Sequence, residues 1–132
     1  MLREARFDFY MGSFEIKVEV EPDFLRVTTV GKYAFEELFQ FLEFVKSEAG
    51  KADRAKVLID SRLLAGTMTE VERFEGGQKI AQLFGRAIKV ALLMPECGIT
   101  KLGELAAVNR GARFMVTSCE IEGLSWLLGA NS

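Results

Sequence analysis

Lys56-Val57-Leu58-Ile59-Asp60 is a short, unbroken apolar run closed by a carboxylate. Such a run suits a central parallel strand covered on both faces, because a half-exposed strand would alternate apolar and polar residues. Upstream lies the polar connection Gly50-Lys51-Ala52-Asp53-Arg54, and downstream the capping box Thr69-Glu70-Val71-Glu72. In that box the threonine side chain accepts from the amide three residues on, and Glu72 reaches back to the first amide. A buried strand between two helices is the unit of a parallel sheet with right-handed crossovers.

Working outward, residues 34–48 read as a helix. Phe35, Leu38, Phe39, Leu42 and Val45 recur at the spacing of one helical face. Phe41 flanks that stripe and Phe44 points away from it, so the two read either as a hairpin contact or as an exposed contact patch. Further upstream, Phe14, Ile16, Val18 and Val20 alternate with charged residues, which is the period of a half-buried strand. Pro22-Asp23 makes a turn, and 24–30 is the returning strand of an antiparallel hairpin. Residues 1–13 are an extension or a short leading strand, and 14–132 form a single domain.

Downstream, the helix opened by Thr69 runs to about Phe84 with Val71, Phe74, Ala81 and Phe84 on one side. Gly77 falls within that side and predicts a close approach of helix and sheet, since a helical glycine otherwise costs about 1 kcal/mol. Residues 88–94 are the next buried strand, and Thr100 caps a helix through Leu102, Leu105, Ala106 and Asn109. Arg113 to Thr117 is the last strand, and Ser118 caps a last helix holding Leu124, Trp126 and Leu127. The expected order is β-β-α-β-α-β-α-β-α: an α/β fold with a mixed, mostly parallel sheet, an N-terminal antiparallel hairpin and about four helices.

Composition narrows the function. A chain of 132 residues buries roughly two-thirds of its unfolded surface and needs no disulfide or metal to fold. With 17 basic and 19 acidic residues the net charge is -2, which disfavours nucleic acid and anionic membrane surfaces as partners. Absence of histidine removes the usual general base, the Ser-His and Cys-His nucleophile pairs and the main nitrogen ligand of zinc and iron. Cys97 and Cys119 lack Cys-x-x-Cys spacing and read as reduced thiols of a cytoplasmic protein. No apolar run has signal-peptide or membrane-span character. Gly-x-Gly-x-x-Gly, Gly-x-x-x-x-Gly-Lys and Gly-x-Ser-x-Gly are all absent. No enzyme activity, metal or cofactor is expected. A carboxylate or thiol site around Asp60 and Cys97 would lack a base.

In open α/β sheets ligands gather beyond the carboxyl ends of the strands. Asp60, Ser61 and Arg62 are expected there, with Glu96 and Cys97 after the neighbouring strand. Asp60 can equally bond loop amides. Asn109 and Arg110 read as a turn and a cation near a helix C-terminus.

Val57-Leu58-Ile59-Asp60 with its loop, Ala107-Val108-Asn109-Arg110-Gly111-Ala112-Arg113 and Trp126-Leu127-Leu128 together resemble the STAS superfamily, in its stand-alone bacterial SpoIIAA-like branch. The resemblance spans residues 14–128. It implies a β-α superhelix shared with CRAL-TRIO domains, and a non-enzymatic module that binds an anti-sigma-factor kinase. It also implies a phosphoacceptor where the loop enters the helix, at Thr69 or Thr67, although the Asp-Ser-Ser-Gly stretch of the family is missing here.

Two functional expectations follow. One is a regulatory protein-binding module of unknown partner, with Phe41 and Phe44 as candidates for a homodimer patch. The other is a CRAL-TRIO-like carrier of a small apolar ligand or lipid, in which Phe41, Phe44, Phe74 and Phe84 line a pocket between helices. Ordinary core packing explains the same aromatics.

Overall fold

The computed structural model describes residues 5–96 and 99–129. Six strands form one sheet: β1 (Ala5–Met11), β2 (Phe14–Val20), β3 (Leu25–Lys32), β4 (Lys56–Ala65), β5 (Lys89–Leu93) and β6 (Phe114–Thr117). Four helices accompany them: α1 (Leu38–Ala52), α2 (Glu70–Phe84), α3 (Leu102–Val108) and α4 (Glu120–Leu128). A 3-10 turn, Phe35–Glu37, leads into α1.

The strands lie side by side in chain order. β1, β2 and β3 pair antiparallel, and β3 to β6 pair parallel. Right-handed crossovers that step in one direction place every crossover helix on the same face. The core divides accordingly. Val57 and Ile59 of β4 join Leu42 and Val45 of α1, Ile80 and Phe84 of α2, and Ala107 of α3 in the larger cluster. Leu58, between them in sequence, faces the other way and joins Ala91, Leu93, Leu127 and Phe24. The apolar run around Leu58 is continuous because helices cover both sides of this strand.

The leading strand extends the hairpin into a three-stranded meander. Gly12 (φ 57) and Ser13 make the two-residue turn between Met11 and Phe14. The Ser13 hydroxyl donates to Glu37 Oε1 at 2.9 Å, which ties this turn to the start of α1. β6 is the opposite edge. Glu104 accepts from Val116 N at 2.8 Å and Lys101 donates to Val116 O at 2.6 Å. Two side chains thus satisfy backbone groups that an edge strand leaves open to intermolecular pairing.

Several local expectations change. β4 does not stop at Asp60 but runs on to Ala65. Its pairing with β5 ends at Asp60, whereas β3 accompanies it to Lys32↔Ala65. Losing one neighbour ends the apolar run without ending the strand. On α2 the buried residues are Gly76, Gly77, Ile80 and Phe84, while Val71 is 66% and Phe74 37% exposed. Gly77 does serve close packing, but against α3 instead of the sheet. An added Cβ would stand 2.2 Å from Gly103 O. Lys101 (φ 68), not Thr100, is the N-cap of α3, and Cys119, not Ser118, is that of α4. Thr100 is occupied elsewhere, accepting from Arg73 Nη1 at 3.0 Å.

Phe41 and Phe44 do not make an open aromatic patch. Phe41 is 6% exposed and meets Phe14 edge-on at 5.6 Å between ring centroids. Phe44 meets Phe9 of β1 edge-on at 4.8 Å. The hairpin folds over α1 and covers both rings.

Candidate functional site

Asp60, Ser61 and Arg62 sit inside a strand, so their side chains alternate between the two faces. Asp60 and Arg62 belong to the α4 side. Arg62 holds Asp60 with Nε to Oδ1 at 3.0 Å and Nη2 to Oδ2 at 2.8 Å, the fork geometry that suits a carboxylate. The Arg62 amide adds a third bond to Oδ1 at 3.1 Å. Arg62 also reaches Glu120 of α4 at 3.0 Å, and Arg26 of β3 reaches the same carboxylate at 3.1 Å. This chain of charges fastens α4 to the sheet. Burial alone would raise the Asp60 carboxyl, but its bonds from Arg62 and the charges of Arg62 and Arg26 hold it below the ordinary value.

A pKa lower in the folded than in the unfolded chain stabilises the fold above the ordinary aspartate range. That stabilisation is lost as the pH falls through the folded value. Acidification below about pH 4 is therefore expected to weaken the wild type more than Asp60→Asn. The difference is on the order of 1 kcal/mol, reduced by the partial exposure of Arg62. Urea midpoints at pH 7 and pH 3 for both proteins measure it, and parallel slopes would contradict it.

Ser61 faces the opposite side. It is 9% exposed and accepts from the Thr29 hydroxyl at 2.9 Å. Beside it lies a cavity of about 210 Å³ between the sheet and α1, α2 and α3. Its floor includes Ile59, Leu64, Leu92 and Met94, its wall Leu38, Phe41 and Ile80, and its rim Tyr33, Thr67, Met68, Arg73 and Ile99 to Lys101. It lies where β4 and β5 run out, as the rule for open sheets requires. Phe41 lines it, whereas Phe44, Phe74 and Phe84 do not.

Thr69 is the N-cap of α2. Its hydroxyl accepts from Glu72 N at 3.1 Å, and Glu72 Oε1 accepts from Thr69 N at 3.0 Å. The same Glu72 oxygen receives the Tyr33 hydroxyl at 3.2 Å. Burial and the Glu72 charge push the Tyr33 phenol upward, so it stays protonated. Thr67 and Thr69 are both exposed, and Thr67 lines the cavity rim. Asn109 and Arg110 lie apart from Asp60, at the end of α3. Asn109 is the C-cap, and Arg110 stacks over the exposed Phe74 ring at 5.4 Å. Glu96 is exposed, and Cys97 lies outside the described residues.

Other polar side chains escaped the sequence reading. Arg73 lines the cavity, and its Nε is buried with no hydrogen-bond partner among the described residues. Lys89 is 0% exposed in β5, where its ammonium donates to Trp126 O and lies 4.4 Å from the Trp126 ring centroid. Burial pushes its pKa down. Neither residue carries a spacing signal, because their partners come from distant elements. Among the described residues no three Cys, Asp or Glu side chains gather as a metal site, and no helix is long and apolar enough to cross a membrane.

This arrangement of strands and helices is a STAS-type fold. An anti-sigma factor antagonist from Mycobacterium paratuberculosis superposes on it with a TM-score of 0.58 over 89% of this chain and 97% of that one, at 12% sequence identity. No protein-family model and no curated protein matches the chain. At that identity the likeness concerns the fold.

Proposed function

We propose that this is a non-enzymatic regulatory module that docks a protein partner through α2, α3 and the Thr67–Thr69 loop. One observation carries the reading. Of the nine exposed large hydrophobic residues among those described, four lie on this helix pair: Val71 66%, Phe74 37%, Leu105 55% and Val108 45%. Val71 and Phe74 are three apart on one helix, as are Leu105 and Val108 on the other, so each pair shares a face. Exposed apolar surface next to polar loops is where partners bind. Asn109 and Arg110 close the same surface at the end of α3. The structural neighbour is an anti-sigma factor antagonist, which supports an anti-sigma factor as the class of partner, and the sequence resemblance implies that such a partner is a kinase of the bacterial cytoplasm.

Phosphorylation of Thr69 or Thr67 is the switch that fits this reading. A phosphate adds nearly two negative charges, favoured at the N-terminus of α2 by the helix dipole. Glu70 and Glu72 in the first turn oppose it. The test uses purified kinases of this class with ATP and magnesium. Mass spectrometry is expected to place phosphate on Thr67 or Thr69, and calorimetry is expected to show Phe74→Glu weakening complex formation at least tenfold. Thr69→Ala is expected to cost about 1 kcal/mol in urea unfolding through the lost cap. Thr69→Glu is expected to weaken docking. Failure of every such kinase to bind overturns the partner, and unchanged binding by Phe74→Glu overturns the surface.

A further inference from the structure

The cavity beside Ser61 is unexplained by protein docking. Leu92 is the residue that shows it best. It is the fourth of five residues in β5 with a hydrogen-bonded strand on either side, yet it is half-buried while Val90, on the same face, is at 0%. The space over Leu92 is not filled by helices α1 to α3, and apolar side chains make most of its wall. Close-packed interiors seldom leave such a void. An apolar cavity of about 150 Å³ takes up benzene, so one of about 210 Å³ has room for an apolar body of on the order of eight heavy atoms, with a polar head left at the rim. A membrane lipid with two long chains exceeds that volume.

Polar chemistry enters at one place. The Arg73 side chain is 11% exposed. Its Nη1 is engaged by Thr100 at 3.0 Å and lies 3.6 Å from Glu70, while its Nε, also buried, has no acceptor among the described residues. A buried donor without an acceptor is unfavourable, and an anionic oxygen makes its strongest partner. Lys101 and Glu104, also on the cavity wall, are both committed to Val116 of the edge strand. Arg73 is thus the group in want of a ligand atom.

We infer that the cavity between the sheet and α1 to α3 binds a small monocarboxylic acid with an apolar body of medium chain length, its carboxylate held by Arg73 and its chain laid over Leu92 and Met94. This site shares Thr67 of its rim with the proposed docking loop, but none of the exposed residues Val71, Phe74, Leu105 and Val108 lines it. The test is isothermal titration of the full chain with octanoate, with octanol and acetate as controls. Octanoate is expected to bind saturably at one site, at least tenfold tighter than either control. Arg73→Met is expected to bring octanoate down to the level of octanol. Met94→Phe is expected to abolish binding of both while keeping the wild-type circular dichroism, and Leu64→Phe serves the same end if Met94→Phe does not fold. Absence of saturable octanoate binding overturns the inference, as does octanoate binding that Arg73→Met leaves intact or that octanol equals in the wild type.

Discussion

Gly77→Ala is expected to destabilise the protein by about 2–3 kcal/mol, although alanine is the better helix former. The cause is backbone contact between α2 and α3. A methyl group at Gly77 would lie 2.2 Å from Gly103 O, 3.1 Å from Gly103 C and 3.0 Å from Ala106 Cβ. A carbonyl cannot rotate away as a side chain would. Gly103 in turn leaves 2.9 Å between its own absent Cβ and Arg73 O, so the helices meet glycine to glycine. Relief requires α3 to withdraw, and α3 carries Glu104 while its N-cap is Lys101, the two groups that cover Val116 of the edge strand. The cost therefore spreads from helix packing to the sheet edge. Gly50→Ala is the control. It lies in α1 with nothing within 4 Å of an added Cβ, and is expected to gain up to about 1 kcal/mol from helix propensity. Urea unfolding of both variants measures the contrast. Equal stability of the two would refute the approach of α2 and α3.

Leu127→Ala is expected to cost about 3–5 kcal/mol, a large part of the 5–15 kcal/mol that holds a typical domain together. Leu127 is 0% exposed and packs with Phe24, Leu58, Ala91 and Leu93. α4 has nine residues, too few to be stable as an isolated helix, so its order depends on this packing. Among the described helices it alone covers this face. The bond from Lys89 to Trp126 O and the Arg62–Glu120 pair also require α4 in place. Ile121→Ala, at a site 78% exposed on the same helix, is expected to change stability by less than about 0.5 kcal/mol. Chemical denaturation distinguishes the two, and a mild effect at Leu127 would mean that the sheet face is held by its charges instead.

Much of this was legible in the chain before its structure. Period-two alternation from Phe14 to Val20 identified a half-buried strand, and its burial alternates as expected. The run Val57-Leu58-Ile59 identified a central strand, and all three residues are buried. Thr69 and Glu72 announced a capping box, and both of its bonds are present. Each of these is a local signal: side-chain direction follows from a period, and a cap closes within four residues.

What stayed illegible is what depends on distant neighbours. Asp60, Ser61 and Arg62 looked like one cluster beyond a strand end, yet β3 continues alongside them and sends Ser61 to one face and the Asp60–Arg62 pair to the other. Phe41 and Phe44 read either as a hairpin contact or as an open patch, and the choice stayed undecided because the strand that covers Phe44 came from residues without a clear pattern. Val71 and Phe74 satisfy helical periodicity as well as any core pair, and only the position of α2 against α3 leaves them exposed. The sequence by itself determined most of the elements and their order from Phe14 onward, because hydrophobic period, caps and turns act over a few residues, and its resemblance to the STAS superfamily implied the topology. Tertiary structure alone decided which glycine meets which backbone, where Arg73 is stranded and where the cavity opens, because those facts are set by how elements far apart in the chain fit together in space.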